Sequence, residues 1–192
     1  MAAVDAPTLY TLGHSTRTPD ELVAVLEQAH VRELVDVRAL PRSRRHPHLS
    51  KDALAHSLSA RATAYTHEPR LGGFRRPQAG SPNSGWEHPA FRGYADHMTT
   101  AEFLAGLARL QGLARERTAC VMCAEAQWWR CHRRLIADAL IVRGWRVLHL
   151  GLAPAPVVHE LTPFAVVGPQ HALTYPAPQG ELALGDRARS SE

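Results

Sequence analysis

The chain has 192 residues, of which 45% are hydrophobic, and its formal net charge is +4. A chain of this length most naturally forms one domain with a buried core. No stretch approaches the roughly 18 consecutive apolar residues that span a membrane, and the first residues lack the basic and apolar regions of a secretory signal. Three cysteines are too few for a disulfide framework, so we expect a soluble cytoplasmic protein with reduced thiols and no membrane partner.

Five short strands alternate with helices along the first 150 residues. The first helix is opened by a capping box, in which Thr18 is the N-cap, Pro19 the first helical residue and Glu21 the reciprocal partner. Strands are predicted at 8–14, 33–38, 64–68, 118–123 and 145–150, and helices from 18, at 50–62, from a capping box of Thr99 and Glu102 to about Leu113, and at 130–143. The alternation predicts an α/β fold, a single three-layer domain of about five mainly parallel strands with helices on both faces.

Two regions depart from this pattern. Residues 69–98 are rich in Gly, Pro and Arg and are interpreted as a long loop inserted into the domain of residues 1–150. Residues 151–192 contain six prolines and are predicted to form an irregular extension. Its segment 157–167 is expected to pack on the domain, and the last ten or so residues are expected to be disordered.

Arginine carries the positive charge, because only Lys51 among the 22 basic residues is a lysine. The planar guanidinium suits the recognition of carboxylates and phosphates. An arginine-rich composition also arises from genomic base composition, so the position of the arginines matters more than their number.

Polar residues concentrate where the predicted strands end. Ligands bind at the carboxyl ends of parallel strands, so these segments would converge on one edge of the sheet. The residues are Gly13, His14 and Ser15 after strand one, Asp36, Arg38, Arg42, Arg44 and Arg45 at strand two, Gly72 and Gly73 after strand three, Cys123 and Glu125 at strand four, and His149 in strand five. Any one of them could cap a turn or pack in the core, but their coincidence predicts a binding site.

Cys120 and Cys123 have the CxxC spacing of redox and zinc sites. Along a strand, however, residues three apart point to opposite faces, and their Cα atoms lie about 10 Å apart, beyond the reach of a disulfide. Cys120 is therefore predicted to be a core residue.

Cys123 and Cys131 flank a strand-to-helix loop, where the helix N terminus, Arg130 and Arg133 favour a thiolate or a bound anion. Four interpretations stay open. In the first, Cys123 is a nucleophile and His14, His132 or Glu125 is its base. In the second, Cys123, Cys131, His132 and another histidine bind a zinc ion. In the third the two cysteines form a redox pair, and in the fourth the helix N terminus binds an anion and the cysteines only pack. Within the same loop, one ring of Trp128 and Trp129 could stack on a base or sugar, or the pair could cover the loop as a lid.

Together these motifs resemble the domain-of-unknown-function family 488. The matching segments are TLGHSTRT, LVDVRALPRSRR, LGGFRRP, FRGYADHM, CAEAQWWRCHRR and VLHL, in this order over residues 8–150. The resemblance implies a compact α/β protein and assigns no activity. It singles out as motif positions Gly13, His14, Ser15, Asp36, Arg38, Gly72, Gly73, Cys123, Glu125, Cys131, His132 and Arg133.

The leading hypothesis is an enzyme that binds a small phosphorylated or nucleotide-like anion at this edge. Arg38, Arg130 and Arg133 would hold the anion, Asp36 would orient Arg38, and Cys123 would be the nucleophile. The alternatives are a non-catalytic module for nucleic acid or an anionic metabolite, and a protein that binds zinc through Cys123, Cys131 and His132. Zinc is the one cofactor that the residues suggest.

Overall fold

A six-stranded sheet organises the fold in the computed structural model, which describes residues 6–42 and 46–178. The strands are β1 (Thr8–Gly13), β2 (Glu33–Asp36), β3 (Ala64–His67), β4 (Ala119–Cys123), β5 (Arg146–His149) and β6 (Val157–Val158). Their spatial order is β3-β2-β4-β1-β5-β6, in which β1 to β5 are parallel and β6 runs antiparallel to β5. The α/β class and the five parallel strands are thus confirmed, whereas β6 is too short to show any periodicity in the sequence.

Five helices cover the sheet: α1 (Pro19–Gln28), α2 (Lys51–Ser59), α3 (Pro89–His97), α4 (Ala101–Glu116) and α5 (Arg133–Ile141). The capping box of α1 is present, since the Thr18 hydroxyl accepts from the backbone of Glu21 and the Glu21 carboxylate accepts from the backbone of Thr18 at 2.8 Å. The cap of α4 is Thr100 instead of the predicted Thr99, because the Thr99 hydroxyl donates to the carbonyl of Asp96.

The sheet separates two hydrophobic cores. Helices α1 and α2 pack on one face through residues such as Leu26 and Leu58, and α3, α4 and α5 pack on the other through residues such as Leu107 and Leu135. Alternation along β4 sends Cys120 into the first core and leaves Cys123 on the side of the second. The three-layer arrangement and the burial of Cys120 are therefore as the sequence predicts.

The interpretation of residues 69–98 as a loop was wrong for its last third, which forms α3. Asp96 anchors the preceding segment, because its carboxylate accepts from the backbone of Gln78 and from the side chains of Ser81 and Asn83. The helix buries Tyr94 and Ala95. A nine-residue helix that begins at a proline shows too few apolar repeats to be recognised in the sequence.

The extension after residue 150 is largely irregular, as predicted, but it is anchored. Besides β6 it contains a two-stranded antiparallel pair, β7 (Val166–Val167) with β8 (Leu173–Thr174), and it buries Tyr175 completely. The end that was expected to be disordered lies outside the described residues. None of the helices found in the described ranges has the length and apolarity needed to cross a membrane.

Candidate functional site

A cavity of about 800 Å³ opens at the carboxyl end of the parallel strands, next to the neighbouring strands β1 and β4. The chain leaves β1 towards α1 on one face and leaves β4 towards α5 on the other, so a crevice forms between them. Such a switch point is where open α/β sheets bind ligands. The lining includes His14, Ser15, Arg38, Leu40, Arg42, His46, Gly73, Phe74, His88, Tyr94, Cys123, Glu125, Trp129, Arg130, Cys131 and His132.

Two thiols and an imidazole meet in the wall of this cavity. The Sγ atoms of Cys123 and Cys131 and a ring nitrogen of His132, which we call the Cys–Cys–His cluster, all lie within 4.8 Å of one another. His132 Nδ1 is 4.0 Å from Cys123 Sγ and 3.7 Å from Cys131 Sγ. Cys123 ends β4, and the other two residues directly precede α5, so the loop of residues 124–130 folds back to close the cluster.

The two thiols of the cluster shift each other's pKa in opposite directions. The hydrogen bond from Cys123 lowers the pKa of Cys131 well below its ordinary value, whereas the same contact, together with burial, raises the pKa of Cys123 well above it. Buried Arg133 favours the thiolate form of both sulfurs. Without a metal this contact therefore favours the thiolate form of Cys131 over that of Cys123, the residue predicted as the nucleophile.

Arg38 is held in place by its neighbours at the base of the cavity. Its guanidinium contacts the Asp36 carboxylate at 2.6 Å, donates to the carbonyl of Leu49 and lies 3.0 Å from His14 Nε2. The other ring nitrogen of His14 lies 2.9 Å from the carbonyl of Ser15, and burial lowers the pKa of His14 to about 4. Asp36 does orient Arg38, but His14 is neutral with both nitrogens engaged, so the geometry disfavours it as a general base.

Arg133, predicted to hold a ligand, supports the loop from below. Its side chain is only 1% exposed and does not line the cavity, and it donates to the carbonyls of Glu125 and Ala126. Gly13 belongs to the same support, since a Cβ atom there would stand 1.9 Å from the carbonyl oxygen of Glu125. Both residues therefore fix the path of the chain between Cys123 and Cys131.

The glycines after β3 have different roles. Gly72 lies outside the cavity lining. A Cβ atom there would stand 2.8 Å from the carbonyl oxygen of Pro69, so Gly72 allows the two backbone segments to pack closely. Gly73 lines the cavity, and a Cβ atom there would stand 3.0 Å from His132 Nδ1. The small residue at position 73 thus leaves room for the imidazole of the Cys–Cys–His cluster.

A buried chain of hydrogen bonds joins Arg133 to Asp138 on the same helix. It runs from Arg133 Nη1 to Thr11 Oγ1 (3.3 Å), on to His149 Nδ1 (2.6 Å), from His149 Nε2 to His159 Nδ1 (3.0 Å), and from His159 Nε2 to Asp138 Oδ1 (2.9 Å). A carboxylate can only accept, so His159 Nε2 donates to Asp138, and with both imidazoles neutral His159 Nδ1 accepts from His149 Nε2. His149 then accepts from the hydroxyl of Thr11, which itself accepts from Arg133. Every donor points from the buried cation towards the buried anion, and the two charges compensate each other along the chain.

Unpaired charges face the cavity at its mouth. Arg42 and Arg130 are exposed and make no side-chain hydrogen bond or ion pair with any residue in the described ranges. Glu125 is also exposed, and its carboxylate accepts from the backbone of Gln127 at 3.1 Å. Arg44 and Arg45, which were predicted to extend this basic cluster, lie outside the described residues.

The two adjacent tryptophans have different roles. Trp128 stacks on His149 with ring centroids 4.2 Å apart and an interplanar angle of 6°, which ties the loop to the buried hydrogen-bond chain. Trp129 lies at the cavity mouth and is 43% exposed.

The sequence offered no reason to expect His88 in the cavity and assigned no role to Phe74. For Tyr94, together with Trp86 and Phe91, it suggested only stacking on a base or sugar. Phe74 lies within the LGGFRRP motif and Tyr94 within the FRGYADHM motif, and these motifs were the features of the sequence that could have identified both residues.

The fold and site define an α/β protein with a Cys–Cys–His cluster at the switch point of its sheet. A family model described as "Domain of unknown function DUF488" matches residues 18–140, and the chain belongs to this family. No curated protein and no solved structure matched the chain.

Proposed function

We propose that the protein is a metal-dependent enzyme in which the Cys–Cys–His cluster holds a zinc ion and the cavity binds a small anionic, nucleotide-like ligand. The observation that carries the proposal is the convergence of three ligand atoms within 4.8 Å in the wall of the cavity. The sequence suggests these three residues as zinc ligands, but Cys131 and His132 are neighbours in the chain, which is an awkward spacing for two ligands of one ion. The turn before α5 removes that difficulty by directing both side chains towards Cys123.

The spacing of the cluster suits zinc. Around a tetrahedral ion with bonds of about 2.3 Å to sulfur and about 2.05 Å to nitrogen, each sulfur–nitrogen pair is separated by about 3.6 Å. The separations from His132 Nδ1 are 3.7 Å to Cys131 and 4.0 Å to Cys123. Side-chain shifts of a few tenths of an ångström would therefore complete the coordination.

The number of ligands favours a catalytic ion over a structural one. Structural zinc sites have four protein ligands, whereas catalytic sites have three and leave the fourth position for water or substrate. All three cluster residues line the cavity, so an ion that they held would border the ligand space. A zinc ion there would lower the pKa of a bound water to near 7, and the exposed Glu125 carboxylate in the cavity lining would be available to accept a proton.

Two features support a small anion as the ligand. Arg42 and Arg130 present to the cavity guanidinium groups that have no partner among the described residues, and a cavity of about 800 Å³ suits a small molecule. The alternative, a module for nucleic acid, depends on a wider set of basic residues, namely Arg42, Arg44, Arg45, Arg75 and Arg76, and of these Arg75 is paired with Glu102 at 3.3 Å. A gel-shift series in rising salt separates the two, because affinity for nucleic acid falls steeply as counterions are released.

A second candidate is a thiolate enzyme without metal, in which Cys131 is the nucleophile. It is favoured by His132 Nε2, a buried atom with no hydrogen-bond partner among the described residues. A neutral imidazole carries one proton, so an unpartnered Nε2 suits a ring whose proton lies on Nδ1, facing the Cys131 thiolate. A metal bound to Nδ1 would instead place the proton on Nε2, beside the ring of Tyr94 with centroids 5.0 Å apart.

Metal analysis of the reduced full-length protein tests the proposal. We expect one equivalent of zinc in the wild type, and a thiolate-to-cobalt charge-transfer band when Co²⁺ replaces it. Cys131→Ser should lose both. Cys120→Ala, which removes a thiol buried on the opposite face of the sheet, should keep both.

Two results would contradict the zinc site. One is an unchanged metal content in Cys131→Ser, and the other is a wild type with reduced thiols that gives no cobalt band. The thiolate enzyme predicts a different pattern, in which iodoacetamide alkylates Cys131 faster than Cys123 and a chelator has no effect on that rate.

A further inference from the structure

We propose that the cavity takes a nucleoside monophosphate, with the base held between Phe74 and Trp129 and the phosphate bound by Arg42 and Arg130. This inference rests on the proposed function, because it names the class of ligand that the same cavity would take. The inference is based on two aromatic rings and two cations that do not stabilise the fold in the described parts of the chain.

Phe74 is held in a conformation that costs energy and exposes its ring. Its φ angle is +61°, in the left-handed region that bulky residues avoid, and the side chain is 90% exposed at the cavity mouth. Packing does not explain this arrangement, because the ring buries almost nothing. Backbone strain of this kind persists at ligand-binding sites, where it places a side chain for use.

Phe74 and the Cys–Cys–His cluster line the same cavity. Gly73 lies against the imidazole of His132, since a Cβ atom there would stand 3.0 Å from His132 Nδ1, and Phe74 is the next residue along the chain. A ring bound against Phe74 would therefore lie within the cavity that the cluster also lines.

The ring of Trp129 is held in position by the ring of Trp128. The two rings meet edge to face at a centroid distance of 5.6 Å, and Trp128 is stacked on buried His149. A ring that is fixed before the ligand arrives loses little conformational freedom on binding. Aromatic side chains held in this way stack on nucleobases irrespective of base identity.

Arg42 and Arg130 supply the positive charge that the phosphate of a nucleotide would need. Trp129 and Arg130 are consecutive, and Arg42, two residues after exposed Leu40, lines the same cavity. A flat ring and a phosphate are linked in one small molecule in a nucleoside monophosphate. An isolated phosphate would use the arginines and leave both rings exposed.

Isothermal titration with adenosine 5′-monophosphate, ribose 5-phosphate and adenosine tests the proposal on the full-length protein. Phe74→Ala and Trp129→Ala should each weaken binding of the monophosphate about tenfold or more and leave ribose 5-phosphate unchanged. Arg42→Gln and Arg130→Gln should weaken both phosphate ligands and leave adenosine unchanged. Leu104→Ala is the matched control, because Leu104 is as exposed as Trp129, at 43%, and lies outside this cavity.

The proposal is overturned if the monophosphate binds no more tightly than ribose 5-phosphate, or if the aromatic variants weaken both ligands alike. Tighter binding of a single-stranded oligonucleotide than of the monophosphate would also overturn it, and would make the partner a nucleic acid. Repeating the titration on Cys131→Ser separates this question from the metal. Nucleotide binding should survive in a variant that has lost its zinc, and failure of nucleotide binding would leave the metal content unaffected.

Discussion

The three thiols show that the neighbours of a residue decide its role. Cys120 is enclosed by apolar side chains such as Leu34 and Met122, and burial raises its pKa to about 12. Cys131 is almost as buried, but its sulfur contacts a second thiol and an imidazole, so its pKa is lowered. Burial alone therefore does not identify an inert cysteine, whereas the polar groups within hydrogen-bond distance do.

At the same scale, Phe74→Gly should weaken nucleotide binding without destabilising the protein. Glycine adopts positive φ angles without steric cost, which offsets the entropy it adds to the unfolded chain. The free energy of unfolding, measured with guanidinium chloride, should stay within about 1 kcal/mol of the wild type. Phe103→Ala is the contrast, since it removes a ring that is 1% exposed and should cost about 3–5 kcal/mol. A large loss of stability in Phe74→Gly would show that the ring serves the fold.

The loop between β4 and α5 is the element on which the site depends. It carries Glu125, Trp129 and Arg130 into the cavity, and it closes the Cys–Cys–His cluster. Three contacts determine its path, namely the close approach of Gly13, the hydrogen bonds from Arg133 and the stacking of Trp128 on His149. The loop is therefore expected to be rigid before any ligand binds.

Gly13→Ala tests this dependence. The new Cβ atom would stand 1.9 Å from the carbonyl oxygen of Glu125, so the loop must move. We expect a loss of about 3 kcal/mol or more in the free energy of unfolding, together with loss of the metal-dependent spectrum. Gly112→Ala is the matched control, because nothing lies within 4 Å of a Cβ atom there and alanine favours the helix by up to about 1 kcal/mol. Equal effects of the two substitutions would contradict the role given to Gly13.

On the scale of the whole molecule, the extension completes the core. Asp138 in α5 receives hydrogen bonds from His159, Thr162 and Tyr175, all of which belong to the extension. Without them a buried carboxylate would lose its donors, and the hydrogen-bond chain between Arg133 and Asp138 would lose its link through His159. The segment after residue 150 therefore contributes to the same structural unit as the sheet.

The buried histidines predict that acid destabilises the protein. Burial lowers the pKa of His14 to about 4 and that of His149 to about 3, below the ordinary value of 6.5. Below pH 6.5 the unfolded chain then binds more protons than the folded one, so stability falls as the pH is lowered towards these two values. Between pH 6.5 and 4.5 the loss should be on the order of 2 kcal/mol for each histidine.

Guanidinium chloride unfolding at several pH values measures this loss. His149→Phe should reduce the slope of stability against pH, although it also destabilises the protein by breaking the hydrogen-bond chain. A stability that stays constant from pH 6.5 to 4.5 would contradict the neutral state of both histidines.

Much of the architecture follows from local patterns. The capping box at Thr18, the alternation of strands and helices, and the opposite orientations of Cys120 and Cys123 are all recognisable because they depend on residues a few positions apart. The convergence of the strand ends on one edge follows from parallel pairing alone. The sequence therefore located the cavity, but it did not distinguish ligand contacts from structural support.

Arg133, Gly13 and Phe74 show where the sequence fails. Arg133 and Arg130 are alike as residues, but one is buried beneath the loop and the other faces the cavity. Only glycine fits at position 13, because the carbonyl of Glu125, more than 100 positions away, packs against it. The motif that contains Phe74 does not indicate that its side chain is exposed. Each role is determined by long-range packing, which no local pattern records.

By itself the sequence determined the α/β class, the positions of five strands and the edge at which polar residues gather. Only the tertiary structure decided that Cys123, Cys131 and His132 form one cluster, that Arg133 supports the loop, and that the extension supplies the partners of Asp138. The physical reason is that periodicity and capping act within a few residues, whereas the chemistry of a buried group depends on neighbours that folding brings from distant parts of the chain.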